Sequence, residues 1–238
     1  MPLTKSTGNM YPWVTHMHAH LRGQCTHGCS YCYVQDFERR FNSGAFKGPI
    51  RLKTEELSVN YGEGKTIFIE HKNDLFAYSV AHDFIREILT HCCLWPNNVY
   101  VFQTKNPLRL AHFFADRLPV NCLVGTTMES NRFIPEIMGN SPCPAERHIA
   151  MLYLRMHYPK IRRFVTIEPI LDFDPFVMVD SMNEIAPEFV NIGADSKGHN
   201  LPEPSRDKIE ELISGLQKAG IQIREKHNLE RLMKGETK

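Results

Sequence analysis

Residues Val14–Gln35 read VTHMHAHLRGQCTHGCSYCYVQ. The first part, Val14–Leu21, is predicted as a strand. His16, His18 and His20 recur there at period two, which places all three on one face. Three cysteines follow at once, Cys25, Cys29 and Cys32, in a loop that Gly23 and Gly28 allow to fold tightly. Thiolates are soft ligands suited to iron–sulfur clusters or zinc. A closed structural zinc site takes four ligands, and here His20 or His27 would supply the fourth. A four-iron cluster on three cysteines instead keeps one iron open.

Outward from this stretch the chain alternates short apolar runs with amphipathic segments. Further strands are predicted at Thr66–Glu70, Asn98–Gln103, Asn121–Thr126, Arg163–Ile167, Phe189–Ile192 and Ile221–Arg224. Helices are predicted at Ala81–Cys93, Pro107–Arg117, Pro144–His157 and Pro204–Ala219, the last closed by Gly220 as a C-cap. Such alternation predicts an α/β fold with a mostly parallel sheet, curled into a barrel or open half-barrel. No linker breaks the rhythm. One domain is expected over residues 1–238, with residues 1–12 as an N-terminal extension and 221–238 as a C-terminal strand and short helical tail.

The strand exits are polar. They run into His71-Lys72-Asn73-Asp74, Gln103-Thr104-Lys105-Asn106, Glu129-Ser130-Asn131-Arg132, Glu168-Pro169 and Asn191 through Asp195 and Lys197. In a parallel barrel these ends share the face that carries the active site. Composition sets outer bounds. The 238 residues are 42% hydrophobic and 23% charged, with a formal net charge of +1, so no strong overall field calls for nucleic acid or membrane. No run reaches membrane-span length, and the N-terminus lacks a signal-peptide core. Seven cysteines, an odd number with three clustered, point to a reducing compartment and a metal site. A cytoplasmic monomer is expected.

The CTHGCSYC signature after the first strand resembles the radical S-adenosylmethionine superfamily. The segments YPWVTH, NDLF, FQTKNP, GTTMESNR, VTIEP and NIGADSKGHNLPEPS extend this over about residues 11–232. Together they resemble a compact bacterial and phage family distantly similar to spore photoproduct lyase. The resemblance implies a partial (β/α)6 TIM-like barrel, a 4Fe–4S cluster on Cys25, Cys29 and Cys32, and S-adenosylmethionine bound at the open iron. Reductive cleavage of that cofactor would yield a 5′-deoxyadenosyl radical that takes a hydrogen atom from substrate. An electron donor such as flavodoxin or ferredoxin is implied.

Tyr31 is expected beside the adenine, and Asn73 and Asp74 at the methionine amino group. Thr104 and Lys105 would meet a carboxylate or a substrate phosphate. Glu129 and Asn131 are expected near the ribose or methionine, and Arg132 at a carboxylate. Glu168 should face the barrel mouth, and Asn191 and Asp195 the adenine or substrate. The substrate expected is a thymine-related nucleobase or nucleotide, free or within DNA. A rim of Arg22, Lys72, Lys105, Arg132 and Lys197 is a candidate for phosphate contact. Cys143 is either a hydrogen donor, as in the lyase, or a bystander thiol. The relatives read Trp-Asn-Pro where this chain has His18-Ala19-His20; His16, His18 and His20, together with His71 and Lys72, are candidates for a substrate role. Two alternatives stand beside repair or modification of DNA. One is an isomerase rearranging an amino-acid group on a modified thymine. The other is a non-catalytic zinc or iron–sulfur protein.

Overall fold

Strands form where short apolar runs meet turn residues. Every residue of the runs CLVGTT and FVNI is buried, as expected of parallel strands covered on both faces. The computed structural model describes residues 3–235. The outermost parts of the expected N-terminal extension and C-terminal tail, residues 1–2 and 236–238, lie outside that range. The chain divides into two compact units: residues up to His27 with Cys32–Val124, and Gly28–Tyr31 with residues from Gly125 onward.

In the first unit β1 (Thr4–Lys5) runs antiparallel to β2 (His16–His18), with Thr4 opposite Met17. Strand β3 (Leu21–Arg22) leads to the cysteines and α1 (Tyr33–Phe41) follows them. Strand β4 (Arg51–Leu52) then returns antiparallel to β3. Next come β5 (Thr66–Ile69), α2 (His82–Cys93), β6 (Val99–Thr104), α3 (Pro107–Phe113) and β7 (Cys122–Thr127), the strand in which the division falls. The sheet order is β1-β2-β5-β6-β7. Strands β2, β5 and β6 are parallel, with His16 opposite Ile67 and Thr66 opposite Val99.

The second unit holds α4 (Pro135–Met138), α5 (Pro144–His157), β8 (Arg162–Ile167), α6 (Pro175–Ile185), β9 (Phe189–Ile192), α7 (Arg206–Lys218), β10 (Gln222–Glu225) and α8 (Glu230–Met233). The order is β7-β8-β9-β10. Strand β9 is parallel to both neighbours, with Phe189 opposite Phe164 and Gln222. Helix α7 shows how sequence sets its ends. Ser205 accepts from the Lys208 N–H at its start. At its end Gly220, at φ +72°, donates to Gln217 O while Ile221 N–H donates to Leu216 O, a Schellman closure.

Three sequence expectations change. The strand expected over Val14–Leu21 is only His16–His18 in the parallel sheet, because the Glu70 carboxylate takes the backbone N–H groups of His20 (2.5 Å) and Leu21 (3.2 Å). His20 therefore lies beyond the strand that carries His16 and His18. The helix expected over Pro107–Arg117 stops at Phe113 and gives way to a 3-10 turn at Ala115–Arg117. Helices α1 and α6 were not anticipated. The mostly parallel α/β sheet is as expected.

Candidate functional site

The cysteine loop is anchored locally on each side. In the first unit, Thr26 beside Cys25 donates to Ser79 Oγ (3.1 Å), and His27 Nε2–H donates to Asp74 Oδ2 (2.8 Å). Cys32 is the N-cap of α1, and its carbonyl accepts from Gln35 and Asp36 N–H. In the second unit, Ser30 N–H donates to Ile137 O, and the Cys29 thiol lies 3.5 Å from Met138 O. All three thiols are free of disulfides. Gly28, at φ +66°, provides a backbone conformation that a side chain would strain. Among the described residues no three His, Cys, Asp or Glu side chains are drawn into metal-ligand geometry.

Asp74 is the hub of the loop after β5. Its carboxylate accepts from His27, from Thr104 Oγ1 (2.7 Å), from Lys105 N–H (2.7 Å) and from Phe76 N–H (2.9 Å). Burial alone would raise its pKa, but the hydrogen bonds from His27, Thr104 and Lys105 outweigh it and hold the carboxyl below its ordinary value. Beside it, Asn73 has both side-chain polar atoms buried without a protein partner, as does His71 at Nδ1. Burial, and then Lys72, lowers His71 to about 4. Burial and Arg22 also lower Lys72, whose ammonium lies over the Phe46 and Phe37 rings. A cavity of about 440 Å³ opens where the start of α2 meets α3, with Ser79, His82 and Phe113 in its wall.

Of the three expected strand-face histidines, His18 and His20 enter a buried cluster of the same unit. His20 is fully buried. Its Nδ1–H donates to Glu70 Oε1 (2.8 Å), and its Nε2 lies 3.0 Å from the Tyr61 hydroxyl and 3.2 Å from His91 Nδ1. His91 Nε2–H donates to Val59 O. The His18 ring stands edge-on to His20 at 4.4 Å, and burial next to His20 and His91 pushes its pKa down to about 3. His16 is half-buried and bonds to Thr15.

In the second unit half-buried Tyr31 donates to Glu129, whose other oxygen receives Arg147 Nη1 at 2.6 Å, both of these side chains fully buried. Arg147 also reaches Thr127 O, Ser141 Oγ and Pro142 O. Burial and the Glu129 charge push the Tyr31 phenol well above its usual pKa. Arg132 pairs with Asp172 and Asp174, and Asn131 bonds to Asp174 as well. The hydrogen bond from Arg132 holds Asp174 near 2. Glu168 receives Lys226 Nζ (2.8 Å) and Asn228 Nδ2 (3.0 Å). This approach depends on Gly193, where a Cβ would stand 2.9 Å from both Glu168 and Asn228. Asn191 donates to Thr166 Oγ1, and Asp195 is wrapped by His199 and the Lys197 N–H. Cys143 caps α5, its N–H donating to Glu146.

Sequence reasoning missed Arg147, Tyr61, His91, Lys226 and Asn228. Arg147 left a signal: it lies in the buried stripe of α5 with Pro144, Ala150, Met151 and Leu154, where a charge demands a partner.

Comparisons place this geometry among known folds. The chain matches a spore photoproduct lyase double mutant with bound AdoMet and dinucleoside spore photoproduct at a TM-score of 0.62. Identity is 9% over 92% of this chain and 78% of that one. It matches Streptococcus suis SuiB bound to S-adenosylmethionine at 0.53 and 11% identity, and SuiB bound to precursor peptide SuiA at 0.55 and 11%. These cover 90% of this chain, which spans about half the length of SuiB, 47% and 49%. At such identities the likeness is one of fold. No curated protein sequence matches the chain. A family described as "Protein of unknown function (DUF5131)" matches residues 11–222, nearly the whole chain, and the protein belongs to that family.

Proposed function

We propose that the chain is a radical S-adenosylmethionine enzyme. The observation that carries this reading is the Cys25-x3-Cys29-x2-Cys32 loop, three disulfide-free thiols between β3 and α1 of a mostly parallel α/β fold shared with S-adenosylmethionine-binding proteins. The donor set fits a 4Fe–4S cluster: three soft thiols on a glycine-containing turn, which leaves one iron for the cofactor. When bound, the cluster and S-adenosylmethionine supply reductive cleavage of the sulfonium and hydrogen-atom abstraction. The full fold proposed is the partial (β/α)6 barrel of that superfamily.

The chain's own residues then bind and orient. Cys25, Cys29 and Cys32 hold the cluster. Asn73 offers two buried, unpartnered polar atoms and is the proposed contact for the methionine amino group. Asp74 fixes that loop through its four hydrogen bonds and is a positioning residue. Tyr31, Glu129 and Arg147 form a hydrogen-bonded chain that anchors the cysteine loop at Tyr31. Thr104, Lys105, Asn131, Arg132, Asn191 and Asp195 are proposed around the cofactor, with Glu168 and Cys143 as candidates nearer the substrate. The substrate class proposed is a nucleobase or nucleotide, from the fold shared with the lyase bound to its dinucleoside photoproduct.

The zinc alternative needs a histidine. His20 has both ring nitrogens engaged, so that reading rests on His27, whose Nε2 is on Asp74. Anaerobic reconstitution with iron and sulfide, reduction, and quantification of 5′-deoxyadenosine test the proposal, with Cys25→Ala beside the wild type. Cluster-dependent 5′-deoxyadenosine is expected. Native protein that carries zinc and yields none would overturn it.

A further inference from the structure

Glu70 follows β5 at a backbone angle that a residue with a side chain seldom adopts. Its φ is +60°, in the left-handed region where glycine is the ordinary choice. The chain keeps glutamate there against that backbone cost, so its side chain does something glycine could not. A non-glycine residue held in this region is a pointer to function. Glu70 is buried, at 2% exposure. Its carboxylate accepts from three donors of one segment: the N–H groups of His20 (2.5 Å) and Leu21 (3.2 Å), and His20 Nδ1–H (2.8 Å). The far side of the His20 ring is held by the Tyr61 hydroxyl (3.0 Å) and His91 Nδ1 (3.2 Å), so the anchor is fixed on both sides. The Glu70 main chain is engaged too. Its N–H donates to His18 O (2.8 Å), which continues the pairing of β5 with β2. Its carbonyl accepts from Asn73 N–H (3.2 Å), which closes a turn.

Two segments of the first unit thus meet on one residue. The side chain fixes His20 and Leu21, which lead through β3 to Cys25. The main chain launches His71 to Asp74, the loop that carries Asn73. The same two segments are tied again downstream, where Tyr33 donates to His71 O and His27 to Asp74. We propose that Glu70 is a positioning residue that sets the spacing of Asn73 from the cysteine loop, and with it the affinity for S-adenosylmethionine. The inference rests on the radical-enzyme reading above and goes beyond it, to the residue that holds two parts of that site in register. Glutamine is a poor substitute. Oε1 takes both His20 donors and Oε2 takes Leu21 N–H, so either orientation of an amide would set its NH2 group against an N–H. A carboxylate with a purely structural role would change stability and leave the affinity of the folded protein alone.

The test compares the reconstituted wild type with Glu70→Gln and Glu70→Gly, each shown to be folded by circular dichroism. Glu70→Asp keeps the charge and suits the left-handed backbone but is one methylene short, and it serves if Glu70→Gln does not fold. S-Adenosylmethionine is the probe. Calorimetry reads its binding per cluster, and electron paramagnetic resonance reads the reduced cluster with and without it. Kd is expected to rise about tenfold or more in both variants, and the spectral change on adding S-adenosylmethionine to shrink. Glycine relieves the backbone, so its defect assigns the loss to the carboxylate. Amide exchange on the cluster-free protein gives a second readout. His20, Leu21 and Asn73 should lose protection together in Glu70→Gln while the amides of β6 keep theirs. Wild-type affinity and spectrum in the folded variants overturn the proposal, as does a loss of protection confined to His20 and Leu21. A wild type that binds no S-adenosylmethionine sinks the radical reading instead, and the exchange data still decide whether Glu70 holds both segments.

Discussion

Arg147 and Glu129 carry the largest energetic stake of any pair in the second unit, because both side chains are fully buried. Removing one partner strands a buried charge, which costs about 3–5 kcal/mol. Arg147→Met is expected to lose about that much in urea unfolding, and Arg147→Met/Glu129→Leu to recover most of it. If the double variant is no better than the single, the ion pair is not what stabilises α5. Asn73 is the opposite case, a polar side chain with nothing to lose in the protein itself. Asn73→Ala is expected to leave stability within about 0.5 kcal/mol and to weaken S-adenosylmethionine binding roughly tenfold in calorimetry. His18 sets an acid limit. Its ordinary pKa of 6.5 falls to about 3 in the fold, so the unfolded chain binds more protons between those values. The stability it contributes is present above pH 6.5 and is lost as the pH drops toward 3. Denaturant midpoints across that range should slope less in His18→Phe, and an unchanged slope would place the acid sensitivity elsewhere. The polar exit after β5, His71 through Asp74, was legible because polar residues at the end of an apolar run mark a strand end. The Glu129 ion pair was not, since Arg147 lies eighteen residues downstream in another element.

Elements were legible where pattern and caps agreed. Pro144–His157 and Phe189–Ile192 came through with their ends intact, because proline starts one and turn residues bound the other. Helix α1 was hidden because its stripe faces outward, so periodicity was present but pointed at no core. Strand β2 was read too long because Glu70, fifty residues away, captures the His20 amide that alternation assigned to the ladder. Helix packing sets a further test. A Cβ at Gly215 of α7 would lie 2.6 Å from a Val179 methyl on α6. Alanine gains about 1 kcal/mol in helix propensity, but overpacking costs about 1–3. Gly215→Ala is therefore expected to destabilise, and Gly215→Ala/Val179→Ala to restore the midpoint. A stabilised single variant would show that α6 yields more readily than its packing implies.

At the scale of the molecule, a formal charge of +1 gives little long-range steering. Any salt dependence of partner binding must arise locally. The mostly parallel sheet was readable from strand–helix alternation. The buried histidine cluster has a practical consequence. Reagents that acylate imidazole will reach exposed rings such as His112 and His157 first. His18, His20 and His91, at 5, 0 and 4% exposure, will stay unlabelled until the first unit opens. Their modification, followed by mass spectrometry, turns the sequence's most conspicuous histidine run into a clock for unfolding.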